Sequence, residues 1–124
     1  MSSLHEDVFA VSADVRYVAV AHGQHVDARS RPGLHRASGN DSDRYEELLV
    51  NPALLVLTTQ RGNIDCGGLR YLIVGYGHFQ QLVVPRAAGH LSVAFELGSN
   101  PADHLPAILG VLARHDQPAG DRRP

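Results

Sequence analysis

The chain is predicted to be an α+β domain: a five-stranded antiparallel sheet, built from a hairpin plus a three-strand meander and covered by helices. Three features of the sequence lead there. Val15–Ala21 is a β-branched and aliphatic run, followed across His22-Gly23-Gln24-His25 by the alternating stretch His25–Arg31. Leu69–Tyr76, Phe79–Val84 and His90–Leu97 are three further apolar runs separated by glycine-containing turns. Residues 43–61 and 101–112 instead carry apolar side chains at helical spacing. With 124 residues the sequence is the size of one domain. That domain is expected to span 1–116, with 117–124 a Pro/Gly/charged disordered tail.

In chain order, residues 1–5 are expected to be frayed. Glu6–Ala13 is expected to form a short helix that persists only if it docks. The first hairpin ends at Pro32-Gly33, and Leu34–Ser42 is polar enough to be a loop. Asp41 or Ser42 is placed to cap a helix beginning near Asp43, with Glu46 and Glu47 in its first turns. Asn51-Pro52 predicts a break or kink, since Asn caps helices well and Pro favours a first helical position. The second segment is expected to run from Pro52 to about Arg61 and to stop at Gly62. Its Leu54-Leu55-Val56-Leu57 run is too continuous for a helix with one solvated side, so a second face must be buried against something.

In the meander, Asp65-Cys66-Gly67-Gly68 leads into the first strand and Gly77-His78 is a turn candidate. Pro85 is expected to end the second strand. In His90–Leu97, the residues Leu91, Val93, Phe95 and Leu97 face one way and His90, Ser92, Ala94 and Glu96 the other. Ser99 or Asn100 caps the last helix, which opens at Pro101 and carries a stripe of Leu105, Ile108, Leu109, Val111 and Leu112.

Composition excludes several functions. The net charge of −2 gives no basic footprint for nucleic acid. All eleven basic residues are Arg. No apolar run reaches the length of a membrane span, the N-terminus lacks the features of a signal peptide, and the single Cys66 fits a reducing compartment, so a cytoplasmic protein is expected. His22, His25 and Asp27 are too few for a zinc site, which needs three or four converging ligands. Cys66 beside Asp65 has no nucleophile signature around it and is expected to pack as a small hydrophobe. Gly67-Gly68 and Gly75-Tyr76-Gly77 are not a phosphate loop, because a chain without Lys cannot form one. No catalytic, cofactor or metal residues are therefore expected. Arg44, Glu46, Glu47, Arg61 and Arg70 fall on the central helix and the strand after it, where they form either a solvated face or cross-subunit pairs.

The order of elements resembles the Roadblock/LC7 family of the profilin-like and longin-like group. The resemblance is carried by the Val15–Ala21 and His25–Arg31 hairpin, the Asp43–Arg61 helix and the Leu69–Tyr76, Phe79–Val84, His90–Leu97 meander, and it covers about residues 6 to 115. It implies a non-enzymatic module, usually a dimer. Many such domains scaffold or regulate small Ras-like GTPases and others are dynein light chains; bacterial examples are often encoded beside a GTPase and a sensor kinase. It implies a homodimer joined through the long helix and first meander strand, here Tyr45, Leu48, Leu54, Leu55, Leu57, Arg61, Arg70, Tyr71, Leu72 and Val74. The expected partners are a second copy and a small GTPase, with no nucleic acid, membrane or cofactor. Two departures stand out: the first helix is shorter than is common in the family, and Asn51-Pro52 interrupts the dimer helix. The alternative reading is a small-ligand sensor of profilin-like or PAS-like architecture, which calls for an apolar pocket with convergent polar groups.

Overall fold

A computed structural model describes residues 2–36 and 38–116 of the chain. Helix α1 is Leu4–Phe9, and it starts earlier than expected because Ser3 caps it. The Ser3 hydroxyl accepts from the Glu6 amide while the Glu6 carboxylate accepts from the Ser3 amide, a reciprocal capping box. Residues 3–5 are therefore ordered into the fold rather than frayed, and His5 is buried.

Strands β1 (Val15–His22) and β2 (His25–Ser30) form the expected hairpin, with His22 opposite His25 across Gly23-Gln24. Gly23 has φ +60°, a conformation open to glycine at low cost. The meander follows as β3 (Leu72–Gly75), β4 (Gln80–Arg86) and β5 (Gly89–Phe95). All pairings are antiparallel, and the strand order is β2-β1-β5-β4-β3. The last of these strands thus lies at the centre, and among the described residues β2 and β3 are the two edge strands. Strand β3 is four residues long rather than the expected eight, because Leu69–Tyr71 still belong to the loop returning from the helix. Pro85 lies inside β4 rather than ending it. It sits past the last β3–β4 pair, where β4 is itself an edge and a proline is tolerated.

The two sheet faces are covered differently. One face packs Val18, Leu82, Val84, Leu91, Val93 and Phe95 against Val8 of α1 and Leu105, Ile108, Val111 and Leu112 of α4 (Leu105–Asp116). Each of these buried aliphatic side chains is worth about 1.5–3 kcal/mol. Helix α4 follows a 3₁₀ turn, Pro101–His104, whose Ala102 amide is capped by the Asn100 side chain. Leu97 was expected on this face, but β5 ends at Phe95 and Leu97 is exposed. The opposite face carries a smaller apolar set, Tyr17, Ala19 and Ala94 with Val26 and Phe79 packed against them.

Over that second face lies a long helix in three parts: α2 (Asn40–Tyr45), a π-helical turn Glu46–Val50, and α3 (Asn51–Asp65). The break expected at Asn51-Pro52 is a widened turn instead. The Asn51 amide reaches back five residues to the Glu46 carbonyl. An α turn would drive the Pro52 ring against the carbonyl four residues earlier, and the wider turn relieves that clash. Nor does Gly62 stop the helix. It is buried inside α3, and its carbonyl accepts the amides of both Cys66 and Gly68 as the chain turns back. Gly67 and Gly68 make this turn at φ +79° and +94°. Residues 117–124, expected to be a tail, lie outside the described residues.

Close approach at one hairpin gives a stability test. A Cβ on Gly89 would fall 1.9 Å from the Ala21 carbonyl oxygen, whereas one on Gly98 would meet nothing within 4 Å. Gly89→Ala is expected to lower stability by at least the ~1–3 kcal/mol usual for overpacking. Gly98→Ala should stay within about 0.5 kcal/mol of wild type. Chemical denaturation of the two variants checks both.

Candidate functional site

The junction of the long helix with the sheet is polar, and it is built on one residue. Glu47 is 1% exposed and points from the π turn onto the sheet. Its carboxylate accepts from Tyr17 Oη of β1 at 2.9 Å and from Asn51 Nδ2 at 2.9 Å. It lies 2.8 Å from His90 Nε2 of β5. Asn51 Nδ2 also lies 3.5 Å from the Ser92 hydroxyl, which in turn accepts from Gln81. Asn51 Oδ1 is buried with no partner among the described residues. Glu47 and Asn51 are four apart, so they share the inner face of the helix. Burial pushes the Tyr17 phenol well above its ordinary range, and the facing Glu47 carboxylate adds to the shift.

Beside this cluster a cleft of about 310 Å³ opens between the start of the long helix, the sheet and the β3–β4 turn. The rings of Tyr17, Tyr76 and Phe79 wall it, and Asp43 and Glu46 line its helix side. Tyr76 and Phe79 meet edge to face at 5.5 Å between centroids. Tyr76 Oη donates to Glu46 at 2.8 and 2.9 Å, and the Ser38 hydroxyl donates to Asp43. Burial raises the Asp43 and Glu46 carboxyls above their usual values. Desolvation and the Glu46 hydrogen bond push the Tyr76 phenol up to about 12. Arg16 closes one end. It is the extra residue at the β1 irregularity between Val15 and Tyr17, and such bulges re-aim a side chain. Its guanidinium donates to Glu96 at 2.8 Å and to the His35 carbonyl at 2.9 Å, tying the 31–36 loop to the sheet.

The outer face of the long helix carries an apolar stripe interrupted by Gln60 and flanked by Arg61. Val56, Leu57 and Ile64 are 55%, 66% and 75% exposed, and with Ala53 and Gln60 they recur at intervals of three and four. Tyr45 and Leu49 extend the same stripe across the π turn. Of the residues predicted for an interface, Tyr45, Leu57 and Arg61 lie on this outer side, while Leu48, Leu54 and Leu55 are half-buried. Leu72 and Val74 lie on the free edge strand, half-buried. Tyr71 packs partly against the α1/α4 core, with the Arg70 guanidinium over its ring. Leu49, Val56, Ile64 and Ile73, absent from the predicted interface set, are also exposed.

The charged cluster expected around the helix divides. Glu47 is buried on the sheet instead of standing at a solvated or cross-subunit face, Glu46 bonds Tyr76, and Arg61 pairs with Asp65 one turn on, at 2.6 Å. Cys66 is exposed rather than packed, with Asp65 Oδ1 3.2 Å from its sulfur. Among the described residues no three His, Cys, Asp or Glu side chains converge as a metal site, and no helix is long and apolar enough to cross a membrane.

No protein-family model and no curated protein sequence matches the chain. Solved structures do. A Roadblock/LC7 domain from Streptomyces avermitilis superposes with a TM-score of 0.62 at 15% identity, covering 86% of this chain and 89% of that one. This chain has the Roadblock/LC7 fold. The gliding protein MglB from Thermus thermophilus is similar to the same degree, with a TM-score of 0.62 at 11% identity over 92% of this chain and 91% of that one. In Roadblock/LC7 terms, the outer stripe and the free β3 edge are the helix and strand on which the dimer expectation rested.

Two experiments test the Glu47 junction. Glu47→Ala is expected to cost about 3–5 kcal/mol in chemical denaturation, because it strands Tyr17, His90 and Asn51 without a buried partner. Alkaline titration followed by tyrosine absorbance should show Tyr76 ionising near pH 12 and Tyr17 only on unfolding. Both phenols are held neutral in the folded state, so their contribution to stability is present below the ordinary phenol range near pH 10 and is lost as pH rises above it.

Proposed function

We propose that the protein is a non-enzymatic, homodimeric adaptor or regulator module acting on a small Ras-like GTPase or within a signalling complex. The observation that carries this reading is the exposed apolar stripe of α3 on a domain whose sheet ends in β3, a strand paired with β4 on one side and with its other edge open among the described residues. A stripe of this kind demands a cover. An open strand edge offers unpaired backbone groups to a second chain. A two-fold axis uses both, because one self-complementary patch then serves each subunit. In this arrangement the residues 43–61 pack against their mates, and Leu72–Gly75 pairs antiparallel across the axis to give one sheet through both subunits.

The energetics are adequate. Full burial of a Val, Leu or Ile is worth about 1.5–3 kcal/mol. Leu49, Val56, Leu57 and Ile64 on two copies, already partly covered, yield a total of the same order as the ~4–15 kcal/mol lost on association. The fold likeness supports the regulator part of the reading, since the resemblance carries GTPase-linked adaptors with it. The chemistry of the free face supports a protein partner over a substrate. The reading places the protein in the cytoplasm, where an exposed thiol such as Cys66 stays reduced.

Light scattering near micromolar concentration is expected to return twice the 13.4 kDa chain mass. Leu57→Glu should return the single-chain mass with the fold retained, because the new charge would be buried unpaired in the dimer. A monomeric wild type defeats the interface. Affinity capture from the source cells, identified by mass spectrometry, is expected to recover a small GTPase. An intact dimer that recovers none would limit the module to a scaffold.

A further inference from the structure

We propose that the cleft between the long helix and the β3–β4 turn binds a small organic cation, an ammonium or guanidinium head on an aromatic or aliphatic body. The cleft lies on the sheet side of the helix, opposite the apolar stripe, and its Tyr76 and Gly77 directly follow the β3 edge.

Three observations point to this ligand class. The first is shape: about 310 Å³ is at the lower end of the volumes of small-molecule sites and too small for a folded partner. The second is the walls. Tyr17 and Tyr76 present aromatic surface and Phe79, Leu34 and Ala94 add apolar surface; the Arg16 guanidinium lies over the Phe79 ring, 5.8 Å from its centroid, which leaves the tyrosine rings to attract a cationic head. The third is charge. Asp43, Glu46 and Glu47 stand at spacings of three and four on one helix face, all lining the cleft. Among the described residues no basic side chain lies within ion-pair distance of Asp43 or Glu46. Their partners are the neutral hydroxyls of Ser38 and Tyr76. Arg16, the arginine that lines the cleft, is already engaged with Glu96 and two loop carbonyls. The cleft therefore holds partly desolvated negative charge beside aromatic rings and lacks a mobile cation of its own among the described residues. Burial raises both carboxyls, and a bound cation would oppose that shift.

The test uses phenethylamine and its neutral isostere 2-phenylethanol, titrated into the full chain at neutral pH and followed by amide NMR shifts. Saturable binding of the amine is expected, with shifts centred on 43–47 and 76–81, and the alcohol at least tenfold weaker. Glu46→Gln and Asp43→Asn, tested singly, should each weaken the amine severalfold and leave the alcohol unchanged. Equal affinity for amine and alcohol, shifts centred elsewhere, or no saturation overturns the proposal. The wild-type comparison decides it even if a variant fails to fold. Tighter binding of an acetylated, amidated arginine tripeptide than of the amine also overturns it, and reassigns the cleft to a basic side chain of a protein partner.

Discussion

A single buried carboxylate holds the long helix to the sheet. The face beneath that helix has little apolar surface to offer, only Tyr17, Ala19 and Ala94 with Val26 and Phe79 beside them. Glu47 compensates by accepting from Tyr17 of β1 and by hydrogen-bonding His90 of β5, two strands that are neighbours at the sheet centre. A charge in such a place is tolerated only when its lone pairs are met, and removing any one donor leaves the rest expensive. The pin is therefore specific in rotation as well as in position. With Glu47 turned inward, the apolar residues on the far side of α3 must face solvent, and Asp43 and Glu46 must line the cleft.

The π turn belongs to the same constraint. Pro52 cannot take the next regular place in an α-helix without a clash, and the extra residue in the Glu46–Val50 turn absorbs it. The helix continues without a break and Glu47 and Asn51 share its inner face. A residue pair that reads as a break or kink thus becomes the place where the helix is fastened. Gly62 acts similarly further along. It lets the 66–69 return loop run against the helix, with the Gly68 carbonyl carbon only 2.8 Å from where a Cβ would be.

Much of this architecture was legible. Hairpin, meander and last helix follow from local patterns: alternation in β1 and β2, glycine turns between apolar runs, and an apolar stripe in the last helix, although the Asn-Pro pair opens a 3₁₀ turn and the α-helix itself begins at Leu105. The misplaced boundaries have local causes too, such as the Ser3–Glu6 capping box that begins α1 before Glu6. The site was less legible. A Glu in the first turns of a predicted helix reads as a solvated residue favoured by the helix dipole, and only its burial against Tyr17 and His90 shows otherwise. A surplus apolar face was legible in the Leu54–Leu57 run, but Leu54 and Leu55 turn inward and Val56 and Ile64 outward.

The sequence by itself determined the elements, their order and the existence of an apolar helix face in excess of what one sheet can cover, because these rest on short-range periodicity and turn chemistry. It did not determine that β5 lies at the centre and β3 at the edge, that Glu47, Tyr17 and His90 meet, or that Asp43 and Glu46 line an aromatic cleft. Those depend on which strands become neighbours and how far the long helix rotates on its axis. Both are set by contacts between residues 30 to 43 positions apart, and no local pattern records them.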